Sequence, residues 1–129
     1  MTVLRVARPT DSIQALLPFY CHGLGLQVLG SFTNHAGFDG VMLGRSGLPY
    51  HLEFTHEPGH PAGKAPTRDH LLVFYLPERE AWARAVQSMR RAGLDPVPSW
   101  NPYWDLAGLT YEDADGYRVV LQNAAWTEA

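Results

Sequence analysis

The sequence is poor in cysteine, in basic residues and in long apolar runs, and each shortage excludes a class of protein. Its single cysteine, Cys21, cannot form a disulfide within the chain. Lysine and arginine total 10 against 13 acidic residues and form no cluster, which argues against nucleic-acid or anionic-membrane partners. No apolar run approaches the roughly 18–20 residues that a membrane span requires, and the N-terminus shows no secretory signal. We therefore expect a cytoplasmic protein.

The composition that remains is typical of one compact globular domain. Hydrophobic residues make up 46% of the 129 residues and charged residues only 18%, which is enough apolar material for a sizeable core. A free cysteine in such a domain is either a reactive thiol or a small buried apolar side chain. We favour the second interpretation for Cys21, because it is the commoner fate of free cysteine.

The first half of the chain predicts a strand, a helix and three further strands. Residues 3–9 read as a strand that ends at a proline. A helix follows, with Thr10 or Asp11 as its N-cap and apolar residues at helical spacing. Pro18 should kink this helix or end it early, because proline removes one backbone hydrogen bond. The three strands are QVLGSF, DGVMLG and YHLEFT.

The second half predicts the same order of elements. Residues 70–77 read as a strand, again ending at a proline, and residues 78–93 form the clearest helical pattern, with Gly93 as its stop. An Asp115-Gly116 turn precedes the last strand. The three strands after the helix are PVPSW, GLTYE and YRVVLQN.

The two halves are a structural repeat. Pro9 and Gly40 recur as Pro77 and Gly108 at one constant offset. We therefore divide a single domain, residues 1–129, into module one at about 1–56, a Pro- and Gly-rich linker at about 57–69 and module two at about 70–124. The predicted fold class is α+β, with two βαβββ modules that pair into a curved mixed sheet around a cavity.

Three segments, in order, resemble the glyoxalase/bleomycin-resistance/extradiol-dioxygenase superfamily, also called the vicinal oxygen chelate superfamily. They are LRVARPTDS, then FYCHGLGLQVLG at 19–30, then YEDADGYRVVL at 111–121. The resemblance covers nearly the whole chain and is closest to the small, single-domain bacterial members. It implies a fold and a cavity, but it does not fix a reaction.

The resemblance also implies a metal site, with one ligand from the first and last strand of each module. The matching positions here are Met1 or Thr2, then Glu53, His70 and Val120. Only Glu53 and His70 are of a usual ligand type, so the predicted site for Zn, Ni, Mn or Fe is half filled. Without a metal, Glu53 and His70 are candidate catalytic residues, one acting as a general base and the other orienting it. The alternative is that they form a buried hydrogen-bonded pair with a structural role.

Two further side chains share the inward face in this prediction. His51 lies two residues before Glu53, so both point to the same side of the strand, and His51 is a candidate third ligand or ligand-binding residue. Arg5 should also point inward, where an arginine needs an anion. That anion is either a carboxylate or phosphate ligand, or the carboxylate of Glu53.

Trp100, Tyr103 and Trp104 form an aromatic cluster in the connection that borders the cavity in this superfamily. Aromatic rings with polar edges commonly line small-molecule pockets, and we interpret the cluster in that way. The alternatives are a lid that packs on the core and a subunit interface.

Two functions follow from these features. The first is a binding or resistance-type protein for an anionic or aromatic small molecule, with an incomplete metal site. The alternative is an enzyme, namely a metal-dependent lyase, isomerase or dioxygenase. In either case we expect a homodimer, because exposed sheet edges must be covered.

Overall fold

The computed structural model describes residues 1–128, which form two compact units, one ending at Gly63 and the other beginning at Lys64. Each unit is a small mixed sheet with few helices, so the α+β prediction is confirmed. Within the described residues, no helix is long and apolar enough to cross a membrane. The division into modules and linker stays a prediction.

The first unit has the element order that its sequence predicts. Strands β1 and β4 are parallel neighbours, and β3 and β2 continue the sheet with antiparallel pairing in the order β1-β4-β3-β2. The elements in chain order are β1 Leu4–Pro9, α1 Ile13–Leu17, a π-helix Pro18–Gly23, β2 Gln27–His35, β3 Phe38–Gly44 and β4 Tyr50–His56.

Helix α1 begins and ends for identifiable local reasons. Its N-cap is Ser12, whose Oγ accepts a hydrogen bond of 3.2 Å from the Ala15 N–H, and not Thr10 or Asp11 as predicted. The α-helix ends at Leu17, and Pro18 begins a π-helical turn. The predicted early end is thus observed, because proline has no N–H to continue the ladder.

The core of the first unit lies on one face of its sheet. Leu52 and Phe54 alternate along β4 with more polar residues, and both are buried. The Tyr20 ring lies 4.8 Å from the Phe54 ring, and Leu16 and Phe19 are buried with it. Residues 51 and 53 therefore point to the opposite face of the sheet.

The second unit is a three-stranded sheet with the order β5-β7-β6. Strand β5 is parallel to β7, and β6 is antiparallel to it. The central strand β7 is buried at every residue. The elements in chain order are β5 Leu71–Tyr75, α2 Arg79–Arg91, a 3-10 helix Pro102–Asp105, β6 Gly108–Glu112 and β7 Arg118–Gln122.

Two strands of the second unit are shorter than predicted. His70 precedes β5 instead of lying within it. The segment PVPSW contributes only one isolated bridge, in which the Val97 N–H donates 2.8 Å to the Thr110 carbonyl. Pro96 and Pro98 flank Val97 and have no N–H to donate, which explains why no longer ladder forms there.

Candidate functional site

Arg5, His51 and Glu53 share one face of the first sheet. In the parallel pair of β1 and β4, Arg5 lies opposite His51, and Ala7 lies opposite Glu53. Side chains on neighbouring strands in register point to the same face, so this face carries one cation, one imidazole and one carboxylate. The sequence predicted this arrangement from strand parity, and the structure brings the three side chains together.

The Arg5 guanidinium makes two contacts with the polar groups beside it. Its Nε donates 2.9 Å to His51 Nε2, and its Nη1 lies 3.4 Å from Glu53 Oε2. The Arg5 side chain is 48% exposed, whereas that of Glu53 is 14% exposed. Because a guanidinium has five N–H donors, these contacts orient the Arg5 side chain and leave donors for a ligand.

The same contacts oppose a divalent metal at this cluster. His51 Nε2 and Glu53 Oε2, one possible ligand atom of each side chain, both face the Arg5 cation, so a second cation beside them would be repelled. Within either unit, no group of three or more His, Cys, Asp or Glu side chains of residues 1–128 could hold a metal ion. Val120, at the fourth superfamily position, is a fully buried hydrocarbon. With Arg5 in this position, the cluster does not fit a divalent metal.

His70 lies in the second unit and has local partners. Its Nδ1 is 2.7 Å from Thr67 Oγ1, and its ring meets the Tyr117 ring edge-on at 6.2 Å between centroids. His70 is exposed at the residue that precedes β5. Its proposed pairing with Glu53, as metal ligand or catalytic partner, stays a prediction.

The aromatic cluster forms a braced turn in the second unit. Asn101 Oδ1 accepts 3.0 Å from the Tyr103 N–H, so the side chain of Asn101 caps the 3-10 helix that contains both Tyr103 and Trp104. The Tyr103 and Trp104 rings meet edge-on at 5.0 Å. Trp100 is 65% exposed and Tyr103 56%, so large apolar surfaces face the solvent. Their role as ligand-binding residues stays a prediction.

One polar group that sequence reasoning missed is Arg118 at the start of β7. Its Nε donates 3.1 Å to Glu112 Oε1 and its Nη1 donates 2.9 Å to the Pro98 carbonyl, although the residue is only 6% exposed. The alternation of side chains along β7 could have identified Arg118, because it places Arg118, Val120 and Gln122 on one face of the strand.

The sequence profiles of two adjacent domains match the two halves of the chain. The YycE-like N-terminal domain matches residues 4–55, and the YycE-like C-terminal domain matches residues 69–123. The uncharacterized protein YycE of Bacillus subtilis is 42% identical over 121 residues, which cover 94% of this chain and 87% of that protein. A crystal structure of a YycE protein of unknown function from Bacillus subtilis has a TM-score of 0.88 at 40% identity, covering 99% of this chain and 93% of that one.

More distant solved structures share the fold. The first is the trypanothione-dependent glyoxalase I of Leishmania major, with a TM-score of 0.70 at 19% identity. That match covers 96% of this chain and 87% of the glyoxalase chain. The second is a variant of the fosfomycin resistance protein FosX of Listeria monocytogenes, in complex with Mn(II) and 1S,2S-dihydroxypropylphosphonic acid. It has a TM-score of 0.69 at 10% identity, and the match covers 94% of this chain and 90% of that one. The chain therefore belongs to the YycE-like family, and it shares its fold with glyoxalase I and the fosfomycin resistance protein FosX.

Proposed function

We propose that the chain binds an anionic or aromatic small molecule and that Arg5, not a metal ion, is the anchor for the anion. The observation that carries this proposal is the half-exposed guanidinium, oriented by His51 and Glu53 on the sheet face opposite the core. An arginine held by its neighbours loses little side-chain freedom when it binds, and its planar fork matches carboxylate and phosphonate oxygens.

The FosX structure supports an anion as the ligand class. The compound bound to that protein is a phosphonic acid. Phosphonates and carboxylates accept two parallel hydrogen bonds from a guanidinium, which are shorter and stronger than neutral hydrogen bonds. Glu53 competes with such a ligand for Arg5, so we expect modest affinity in the parent protein.

The aromatic part of the proposal concerns the second unit. Trp100 and Tyr103 expose flat apolar surfaces next to Trp104, on a turn that is braced by its own side chains. Such surfaces bind planar ligands at low entropic cost, because aromatic side chains have few rotatable bonds.

The alternative function is a metal-dependent lyase, isomerase or dioxygenase that uses Zn, Ni, Mn or Fe. It is supported by the Mn(II) bound to FosX and by Glu53 and His70 at two of the four ligand positions. In that case the metal would supply a Lewis acid, and Glu53 would have to exchange Arg5 for the metal. The charge of Arg5 disfavours this exchange, so the binding function is our first proposal.

The test compares benzoate with benzyl alcohol, two ligands of similar size and different charge, by titration calorimetry. Arg5→Ala should weaken benzoate binding at least about tenfold, equal to roughly 1.4 kcal/mol, and leave benzyl alcohol within about twofold. Glu53→Gln should strengthen benzoate binding, because it removes a like charge. Matched controls are Arg8→Ala, whose guanidinium lies 4.7 Å over the Phe54 ring, and Glu57→Gln.

Two results would count against the proposal. Equal losses for benzoate and benzyl alcohol in Arg5→Ala would show that Arg5 is structural. Equal effects of Arg5→Ala and Arg8→Ala on benzoate would show that only the net charge of the protein matters.

A further inference from the structure

Two polar side chains in the core of the second unit each carry a buried oxygen that makes no hydrogen bond. Thr110 is 2% exposed and Gln122 is 4% exposed. Thr110 Oγ1 and Gln122 Oε1 are buried, and neither has a hydrogen-bond partner among residues 1–128. Because more than nine in ten buried polar groups in proteins are paired, two neighbouring exceptions require an explanation.

The two side chains lie on the same face of the second sheet. Thr110 is in register with Val120, and Gly108 is in register with Gln122. Thr110 and Gln122 are therefore diagonal neighbours, about 7–8 Å apart at the backbone, and their side chains can reach one shared ligand group. This face of β7 also carries Val120, which is fully buried between them.

Gly108 makes room for the Gln122 amide. A Cβ atom at position 108 would collide with Gln122 Oε1 and would lie 3.2 Å from the Trp104 carbonyl oxygen. The amide oxygen is thus held over a bare backbone, and the turn that contains Trp104 borders the same spot. The glycine is therefore required by the position of the Gln122 amide.

We infer that Thr110 and Gln122 form a hydrogen-bonding subsite for a neutral alcohol or amide group of a ligand, a role that rests on the proposed small-molecule binding. Gln122 Oε1 only accepts hydrogen bonds, so the ligand group must carry an O–H or N–H donor. The hydroxyl of Thr110 can donate in return. Arg118 and Glu112 on the same face neutralise each other, so no net charge there selects an ion.

Access to the subsite requires a local movement. The two oxygens are enclosed, and the turn at residues 99–106 is the segment that contacts Gly108 from outside the strand pair. Trp100, Tyr103 and Leu106 of this turn are exposed, so its displacement breaks few buried contacts. The subsite should therefore open without unfolding of the sheet.

The experiment uses benzyl alcohol and benzyl methyl ether, in which a methyl group replaces the donor hydrogen, with the full-length ¹⁵N-labelled protein. In the parent, the alcohol should shift the side-chain amide signals of Gln122 and bind at least about fivefold more tightly than the ether, because only the alcohol can donate to Oε1. Thr110→Val and Gln122→Met should each remove this preference. Both variants should also melt at a higher temperature than the parent, because each removes an unpaired buried group. Gln87→Met, at an exposed position of α2, is the control and should change neither property.

Benzoate, titrated into the same samples, separates the outcomes. If benzoate binds but the alcohol and the ether bind equally, the subsite is wrong and the proposed function stands. The subsite is also wrong if the variants melt higher while the preference for the alcohol is unchanged. If none of the three compounds binds the parent, both the subsite and the proposed function fail.

Discussion

At the scale of single residues, the contact between Arg5 and Glu53 contributes to orientation more than to stability. Exposed ion pairs typically contribute only about 0–1 kcal/mol, and the Arg5 side chain is 48% exposed. The hydrogen bond to His51 Nε2 also fixes the neutral imidazole as the tautomer with its proton on Nδ1. His51 and Glu53 therefore hold the Arg5 guanidinium in one orientation, as an anion-binding site requires.

Cys21 should be a poorly reactive thiol. Burial raises the pKa of the Cys21 thiol above its ordinary value, so at neutral pH the folded protein has less thiolate than the unfolded chain. Iodoacetamide should alkylate the native protein more slowly than the urea-unfolded protein at pH 7.5. The native rate should still be rising with pH above the ordinary cysteine pKa, where the unfolded rate levels off. Equal rates in the two states, measured by mass spectrometry, would contradict this assignment.

Some residues of the candidate sites could be identified from the alternation of side chains along a strand, whereas others could be identified only from their burial in the structure. His51, Glu53 and Arg5 were predicted on one face, because side chains alternate strictly along a strand. Thr110 and Gln122 were not singled out, because a polar residue in a strand is normally solvated and only the packing shows that these two are buried. His70 was placed inside β5, because the ends of strands are poorly marked in sequence.

At the scale of elements, proline and serine set the boundaries. The break at Pro18 was predictable from the missing N–H, whereas the cap was not, because Thr10, Asp11 and Ser12 are all good N-cap residues. The segment around Val97 alternates like a strand, but its flanking prolines limit it to one bridge. Local chemistry therefore predicts which elements exist better than where they end.

The pairing of β2 with β3 gives a prediction at this scale. Gly40 lies opposite Phe32, and a Cβ at position 40 would overlap the Phe32 ring. Gly40→Ala should therefore destabilise the protein by about 1–3 kcal/mol in urea unfolding, as overpacking does. The same change in a Phe32→Ala background should cost much less.

Gly30→Ala is the matched control for this pair. Its Cβ would meet only the flexible end of Met42, at 2.9 Å, so a small shift of that side chain relieves the contact. If Gly30→Ala and Gly40→Ala destabilise the protein equally, or if Phe32→Ala brings no relief, the steric explanation is wrong.

At the scale of the whole molecule, the sequence repeat was the strongest guide to the fold. The two halves fold as mixed sheets of four and three strands, and each sheet places the first strand of its half parallel to the last. This pattern could be predicted, because the elements recur at a constant spacing. The chemistry of the site could not be predicted in the same way, since the superfamily keeps the fold while its ligand residues change.

Assembly remains a prediction at this scale. Strand β1 is an edge of its sheet, and Val3, Leu4 and Val6 on or beside it are between 38% and 58% exposed. Exposed apolar edges tend to be covered by a partner, so we expect a homodimer in light scattering at micromolar concentration. Leu4→Glu combined with Val6→Lys should shift the protein towards monomer. Leu106→Glu, at an 80% exposed position, is the control. A monomeric mass for the parent would contradict the expectation.

A melting series decides whether a metal ion, and not Arg5 alone, anchors the ligand. The parent, Glu53→Ala and His70→Ala are each melted with EDTA and with Zn, Ni, Mn or Fe(II), because a metal that binds only the folded state must raise the melting temperature. If Arg5 is the anchor, no metal should shift the melting temperature of any of the three proteins. A rise of several degrees in the parent that both variants abolish would instead show that Glu53 and His70 bind a metal.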